Sequence, residues 1–223
     1  MIDIEKYISR LTDALRQQFA ERLLYVGLQG SYLRGEATES SDIDIMVVID
    51  GLSVTDLDMY REIIRGMEHT ERSCGFICSK TDLANWNPLE IFHILHTTKD
   101  YFGNLSTLIP AYTRQDICNF VKISVNNLYH AVCHEYVHGN EHDIFELTAA
   151  YKSVFFILQN LLYLRHGTFV ATKAEILPLL NAEDSAVLQR EIELSNGIQH
   201  DFADSFSMLF KWCRNTMQNK DIF

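Results

Sequence analysis

The chain has 223 residues, 47% hydrophobic and 22% charged, and its 19 basic against 30 acidic side chains give a formal charge of −11. That length suits one generous domain or two modest ones, and near-half apolar content with only three prolines excludes a mainly disordered chain. The acidic balance argues against a long nucleic-acid partner, which needs basic groups to displace counterions, and neither half of the chain is net basic.

The start, Met1-Ile2-Asp3-Ile4-Glu5-Lys6, lacks the basic end and apolar run of a secretory signal. No stretch is expected to reach the roughly 20 apolar residues of a membrane span. A soluble, cytoplasmic chain with no membrane partner is therefore expected. Residues 3–20 place Ile4, Tyr7, Ile8, Leu11, Ala14, Leu15 and Phe19 at steps of three and four, which predicts an amphipathic helix. Leu23 to Gln29 and Ile43 to Ile49 are compact apolar runs closed by Gly30-Ser31 and Asp50-Gly51, as buried strands are. Ser53 to Asp56 starts a helix running to about Met67, Cys74 to Cys78 forms a third short strand, and Pro88 opens another helix.

After Pro110 the apolar spacing becomes helical throughout. Helices are predicted over about 115–136, 144–164, 173–180, 185–193 and 202–217. The expected fold is α+β: a small mixed sheet flanked by helices over 1–110, then an all-α helical bundle over 111–223. Cys74, Cys78, Cys118, Cys133 and Cys213 are odd in number and irregular in spacing, which suits reduced thiols better than a disulfide framework.

The densest chemistry lies in residues 27–48. A strand ends in Gly30-Ser31, where backbone N–H groups and a hydroxyl suit the oxygens of a phosphate. Gly35 relieves crowding where the chain turns back. Asp42 and Asp44 then stand two apart at the start of a strand, so both carboxylates share one face while Ile43 and Ile45 point into the core. Two carboxylates on one face make an oxygen-rich site for Mg²⁺, which prefers carboxylates plus substrate phosphates to a full protein cage. Taken alone, an Asp-x-Asp is usually solvated surface and a Gly-Ser a turn; in this order between two buried strands they are far more specific.

This segment resembles the signature of the polymerase-beta-like nucleotidyltransferase superfamily: Gly-Ser, then Gly, then Ser-Asp-x-Asp followed by an apolar strand. It looks most like small bacterial members that join such a domain to a helical bundle, the aminoglycoside nucleotidyltransferases and the minimal nucleotidyltransferase antitoxins. The resemblance implies that Gly30 and Ser31 hold the triphosphate, with Arg34 as a further phosphate contact. It implies that Asp42 and Asp44 hold one or two Mg²⁺ or Mn²⁺ ions. The reaction it implies is attack of an acceptor hydroxyl on the α-phosphorus of a nucleoside triphosphate, pyrophosphate leaving. The partners would be that triphosphate and a small hydroxylated acceptor, an antibiotic being one candidate, and a homodimer could complete the site. Active members usually carry a third carboxylate on the next strand, yet Ser73 to Ser79 contains no acid, and Gly75 sits about where it is expected. Two alternatives therefore stand beside the first: a catalytically impaired nucleotide-binding or regulatory, antitoxin-like module, and a protein adenylyltransferase.

The run Tyr151 to Gly167 with Thr172-Lys173 is similar to helices in the second domain of aminoglycoside nucleotidyltransferases. By that resemblance Lys152 reaches the triphosphate and Lys173 is a weaker candidate. The glutamate that can serve as base in such relatives is replaced here by Thr148, with Glu146 two residues earlier. His130, His134, His138 and His142 recur every four residues. The first three form one stripe on a helix, and histidines at i and i+4 can chelate zinc, although Gly139-Asn140 is expected to end the helix before His142. Packing against the other domain is the commoner role for such a stripe, and lining an acceptor pocket is a third. No toxin-like Arg-x₄₋₆-His motif is found in the bundle, which argues against ribonuclease activity.

Overall fold

The computed structural model describes residues 2–139 and 144–219, so His142 lies outside the described residues. The chain divides into two compact units, Met1–Tyr112 and Thr113–Phe223.

The first unit begins with helix α1 (Ile4–Phe19), capped by the Asp3 side chain, which accepts from the Lys6 N–H at 3.1 Å. The residues of the predicted stripe, Tyr7, Ile8, Leu11, Leu15 and Phe19, are the ones it buries. At roughly 1.5–3 kcal/mol for each large apolar side chain, that burial outweighs any difference in helix propensity along α1. Strand β1 (Leu23–Leu28), short helix α2 (Gly30–Arg34), strand β2 (Ile43–Ile49), helix α3 (Val54–Arg65) and strand β3 (Ser73–Cys78) follow. Helices α4 (Lys80–Ala84) and α5 (Pro88–His96) then lead to strand β4 (Lys99–Phe102).

The sheet order is β3-β2-β1-β4, with β1 antiparallel to both β2 and β4 and β2 parallel to β3. One face of β2 carries Ile43, Ile45, Val47 and Ile49 into a core shared with α1 and with Tyr60, Ile63 and Ile64 of α3. The opposite face carries Met46 and Val48 into a second core with Tyr25, Leu83 and Leu105. By the period of two, Asp44 belongs to this second face. β4 is a fourth strand that the sequence pattern does not announce. It is a four-residue edge strand whose Lys99 and Asp100 are exposed, so it carries no buried alternation.

Arg22 ties the far end of the sheet together. Its guanidinium meets Asp56 with two bonds of 3.0 and 2.7 Å and also donates to the carbonyls of Asp50 and Gly51. Asp56 is in turn the third residue of a capping box with Ser53, which fixes the start of α3.

The second unit contains α6 (Arg114–His138), α7 (Ile144–His166), α8 (Lys173–Ile176), α9 (Ala182–Ser195) and α10 (Phe202–Gln218), with a 3₁₀ turn at Leu177–Leu179. α9 starts before the predicted residue 185 because Asn181 caps it, accepting from the Asp184 N–H at 2.9 Å. Asp184 also accepts from Trp212 of α10 at 2.8 Å and Arg165 of α7 at 2.6 Å, joining three helices through one buried carboxylate.

One expectation needs correcting: α7 is long and apolar enough to cross a membrane by length and composition. Its most apolar window is 61% buried inside the protein, and it buries Gln159 and Asn160 as well as Val154, Phe155 and Leu158. It is the core helix of the second unit. The five cysteines form no disulfide.

Candidate functional site

The geometry of the first unit converges on Asp44. β1 hands over to α2 at Gln29, whose backbone N–H donates to the Asp44 carbonyl at 2.8 Å, while its side-chain amide donates to Thr98 at 2.8 Å. Gly30 then adopts φ +68°, and a Cβ built there would fall 1.9 Å from Asp44 Oδ2. A glycine is therefore required at this point for two reasons at once, the left-handed backbone and the carboxylate packed over its Cα. Ser31 follows in the first turn of α2, where N–H groups have no intrahelical partner. Gly35 closes the short helix at φ +68°.

Arg34, the last residue of α2, pairs with Glu36 at 2.8 Å and keeps only 15% of its side chain exposed. Its charge is felt at Asp44. Asp42 is exposed just ahead of β2, placed by a turn in which Ser41 Oγ accepts from the Thr38 N–H at 2.8 Å. Burial, with the Asp42 charge adding to it, pushes the Asp44 carboxyl above the ordinary aspartate range, while the Cys74 thiol and Arg34 act the other way. Gly30, Ser31, Arg34, Asp42 and Asp44 thus belong to one constellation. Lys152 lies in the second unit, exposed on α7 beside the buried Tyr151.

The parallel register of β2 and β3 pairs Asp44 with Cys74, and Ile45 with Gly75. Cys74, rather than Gly75, therefore shares the face of Asp44, and each of the two groups influences the other's titration. Gly75 could not have carried an acid, because a Cβ there would meet the Ile45 carbonyl oxygen at 2.0 Å. The Cys74 residue is exposed as a whole, but partial desolvation of its thiol, with the Asp44 charge next, pushes the pKa up, so the thiol is protonated at neutral pH. No count along β3 alone singles out Cys74; only the register against β2 does.

Lys173, the weaker lysine candidate, is engaged elsewhere. It pairs at 2.7 Å with Glu191, whose side chain is 2% exposed, and stands over the Phe155 ring at 5.7 Å. It is the counter-ion of a buried carboxylate. Glu146 is exposed in the first turn of α7, and Thr148 donates back to the Ile144 carbonyl at 2.7 Å.

Chemically, the constellation offers two carboxylates close enough for the charge of one to act on the other, a hydroxyl, and a close backbone approach. Among the described residues no three metal-binding side chains are grouped to hold an ion by themselves. The Asp42/Asp44 pair still fits a hard divalent cation, since such ions take one or two carboxylates and complete their shell with phosphate oxygens and water.

Residues 8–88 match a family model described as a nucleotidyltransferase domain. A Methanocaldococcus jannaschii protein, provisionally named a protein adenylyltransferase, is 46% identical over 46 residues, 21% of this chain and 46% of its own length. The chain thus spans less than half of that relative. The protein adenylyltransferase MntA of Thermococcus cleftensis is 36% identical over 69 residues, 29% of this chain and 68% of its own. Among solved structures, the spectinomycin adenyltransferase AAD(9) of Enterococcus faecialis, crystallised with ATP and spectinomycin, superposes with a TM-score of 0.63 at 12% identity. That match covers 96% of this chain and 99% of the other. At that identity the likeness is one of fold.

Proposed function

The chain belongs to the nucleotidyltransferase domain family, and from that premise we propose that it transfers the nucleoside monophosphate of a triphosphate, ATP by preference, to a hydroxyl of a small acceptor. The observation that carries this reading is the Asp44 carboxylate lying on the Cα of Gly30, which unites a phosphate-type turn with a carboxylate pair. A whole-chain fold likeness to an adenyltransferase crystallised with ATP and spectinomycin supports the choice of donor and the small acceptor. The net charge of −11 speaks for a small acceptor over nucleic acid.

In the proposed reaction the acceptor oxygen forms a bond to the α-phosphorus, the bond from that phosphorus to the bridging oxygen breaks, and pyrophosphate leaves. Asp42 and Asp44 are the groups that would hold a divalent cation. Such an ion, when bound, polarises phosphate oxygens and offsets charge on the leaving group. Ser31 donates its hydroxyl to a phosphate oxygen, and Gly30 lets the backbone come close enough to do the same. Arg34, oriented by Glu36, supplies fixed positive charge beside the phosphates. Lys152 is proposed as a further triphosphate contact. Cys74 does not take the acceptor proton, because its thiol is already protonated; the proton goes to solvent.

The test is to incubate the chain with Mg²⁺ and α-labelled ATP across a panel of hydroxylated small molecules, with a D42N/D44N variant alongside. Labelled acceptor and pyrophosphate are expected in equal amounts from the native chain and neither from the variant. ATP binding without product from any acceptor would replace this reading with that of a nucleotide-binding module. A second reading, transfer to a protein hydroxyl, is favoured by the names of the two curated relatives. It predicts label on a protein band rather than on a small molecule.

A further inference from the structure

The histidine stripe on α6 takes no part in the proposed reaction. His130, His134 and His138 are all exposed, in successive turns of one helix. Their spacings differ: the ring centres of His130 and His134 are 6.1 Å apart, those of His134 and His138 5.0 Å. A late first-row ion bound in line with an imidazole nitrogen at about 2.0–2.1 Å lies roughly 3.2 Å from the ring centre. Two rings on one tetrahedral ion therefore have centres about 5 Å apart. The second pair already stands at that separation, and the first is too wide.

From this match we propose that His134 and His138 form a two-histidine chelate for a late divalent transition ion such as Ni²⁺, Cu²⁺ or Zn²⁺. Imidazole nitrogen selects these ions over Mg²⁺, which keeps to oxygen. Among the described residues no third metal-binding side chain joins the pair. The chelate spans the last turn of α6, where the Gly139 N–H donates to the Glu135 carbonyl at 2.8 Å. An ion bridging i and i+4 closes a second ring parallel to that backbone bond and holds the end of the helix.

Tag-free full-length chain titrated calorimetrically with Ni²⁺, in saturating Mg²⁺, should show one site per chain. His134→Ala or His138→Gln should weaken it at least about tenfold, since each leaves a single ligand and loses the advantage of a linked pair. His130→Ala and Cys133→Ser should each change it by less than about threefold, and the D42N/D44N variant should bind as the native chain does. In NMR spectra, Ni²⁺ should broaden the imidazole signals of His134 and His138 ahead of those of His93 and His96. Absence of Ni²⁺ binding would overturn the proposal, as would binding that survives the His134/His138 substitutions or falls as far with His130→Ala. Circular dichroism of each variant confirms that the helices are retained, so a loss of binding reports ligands rather than folding.

Discussion

At Gly30 the backbone and the chemistry share one constraint. A methyl group there would lie 1.9 Å from Asp44 Oδ2, on a residue already at φ +68°. Gly30→Ala must therefore displace the carboxylate or the turn, at a cost on the order of 1–3 kcal/mol from backbone strain alone. The expected outcome is at least a hundredfold loss of nucleotidyl transfer with a measurable fall in thermal midpoint; unchanged turnover would remove Asp44 from the site as described. Cys74 gives the complementary experiment. Cys74→Asp puts a third acid beside Asp44, and if that position can serve as base, turnover should rise by about tenfold or more. Cys74→Ser, which keeps a small neutral donor, should stay within about threefold. A Cys74→Asp variant no faster than the native chain would show that the missing acid does not limit the reaction.

Helices and strands translate these residue constraints into stability with a defined pH dependence. Arg22, first among its contacts, holds the Asp56 carboxyl well below the ordinary aspartate range, and Ser53 adds to the effect. Asp56 thus contributes stability that is complete above the unfolded value of about 3.9 and is lost as pH falls from there through its lower folded value. Asp56→Asn should lower the denaturant midpoint at pH 7, and the gap to the native chain should narrow below about pH 4. His93 of α5 acts in a separate window. Burial, then Arg34 and His96, push its pKa down to about 4, so it stays neutral in the fold while the unfolded chain takes up a proton near 6.5. Stability is therefore lost as pH falls from about 6.5 to 4, and His93→Gln should flatten that arm of the curve.

The same elements show what a sequence can and cannot carry. β1 and β2 were legible as compact apolar runs, because both are buried almost along their length, and α1 was legible from apolar side chains recurring at three to four. β4 was not, since Lys99 and Asp100 are exposed on a short edge and leave no imprint. Gly30, Ser31, Asp42 and Asp44 were legible from their order along the chain. The pairing of Asp44 with Cys74 was not, because register between strands nearly 30 residues apart is set by packing and appears in no local pattern.

On the scale of the whole molecule, two compact units make a single unfolding transition an assumption to be tested. Mg²⁺ with ATP at a hundred times its dissociation constant should stabilise whatever unit binds it by about 2.7 kcal/mol through mass action. In calorimetry, a shift confined to one transition would assign binding to the first unit alone. A shift of both, reduced in Lys152→Ala, would bring the second unit into the site. No shift in the native chain would contradict nucleotide binding altogether.

The greasy α7 has a further consequence, which lies in the order of synthesis. It leaves the ribosome before α9 and α10, the helices that help cover it, and the buried bond from the Tyr151 hydroxyl to the Ser205 carbonyl, 2.7 Å, can close only when the chain has passed α10's first turn. Until then a helix long and apolar enough for a bilayer is left without part of its shelter. A nascent chain stalled or cut before Phe202 would therefore be drawn toward chaperones, aggregates or membranes, although its first unit was already complete.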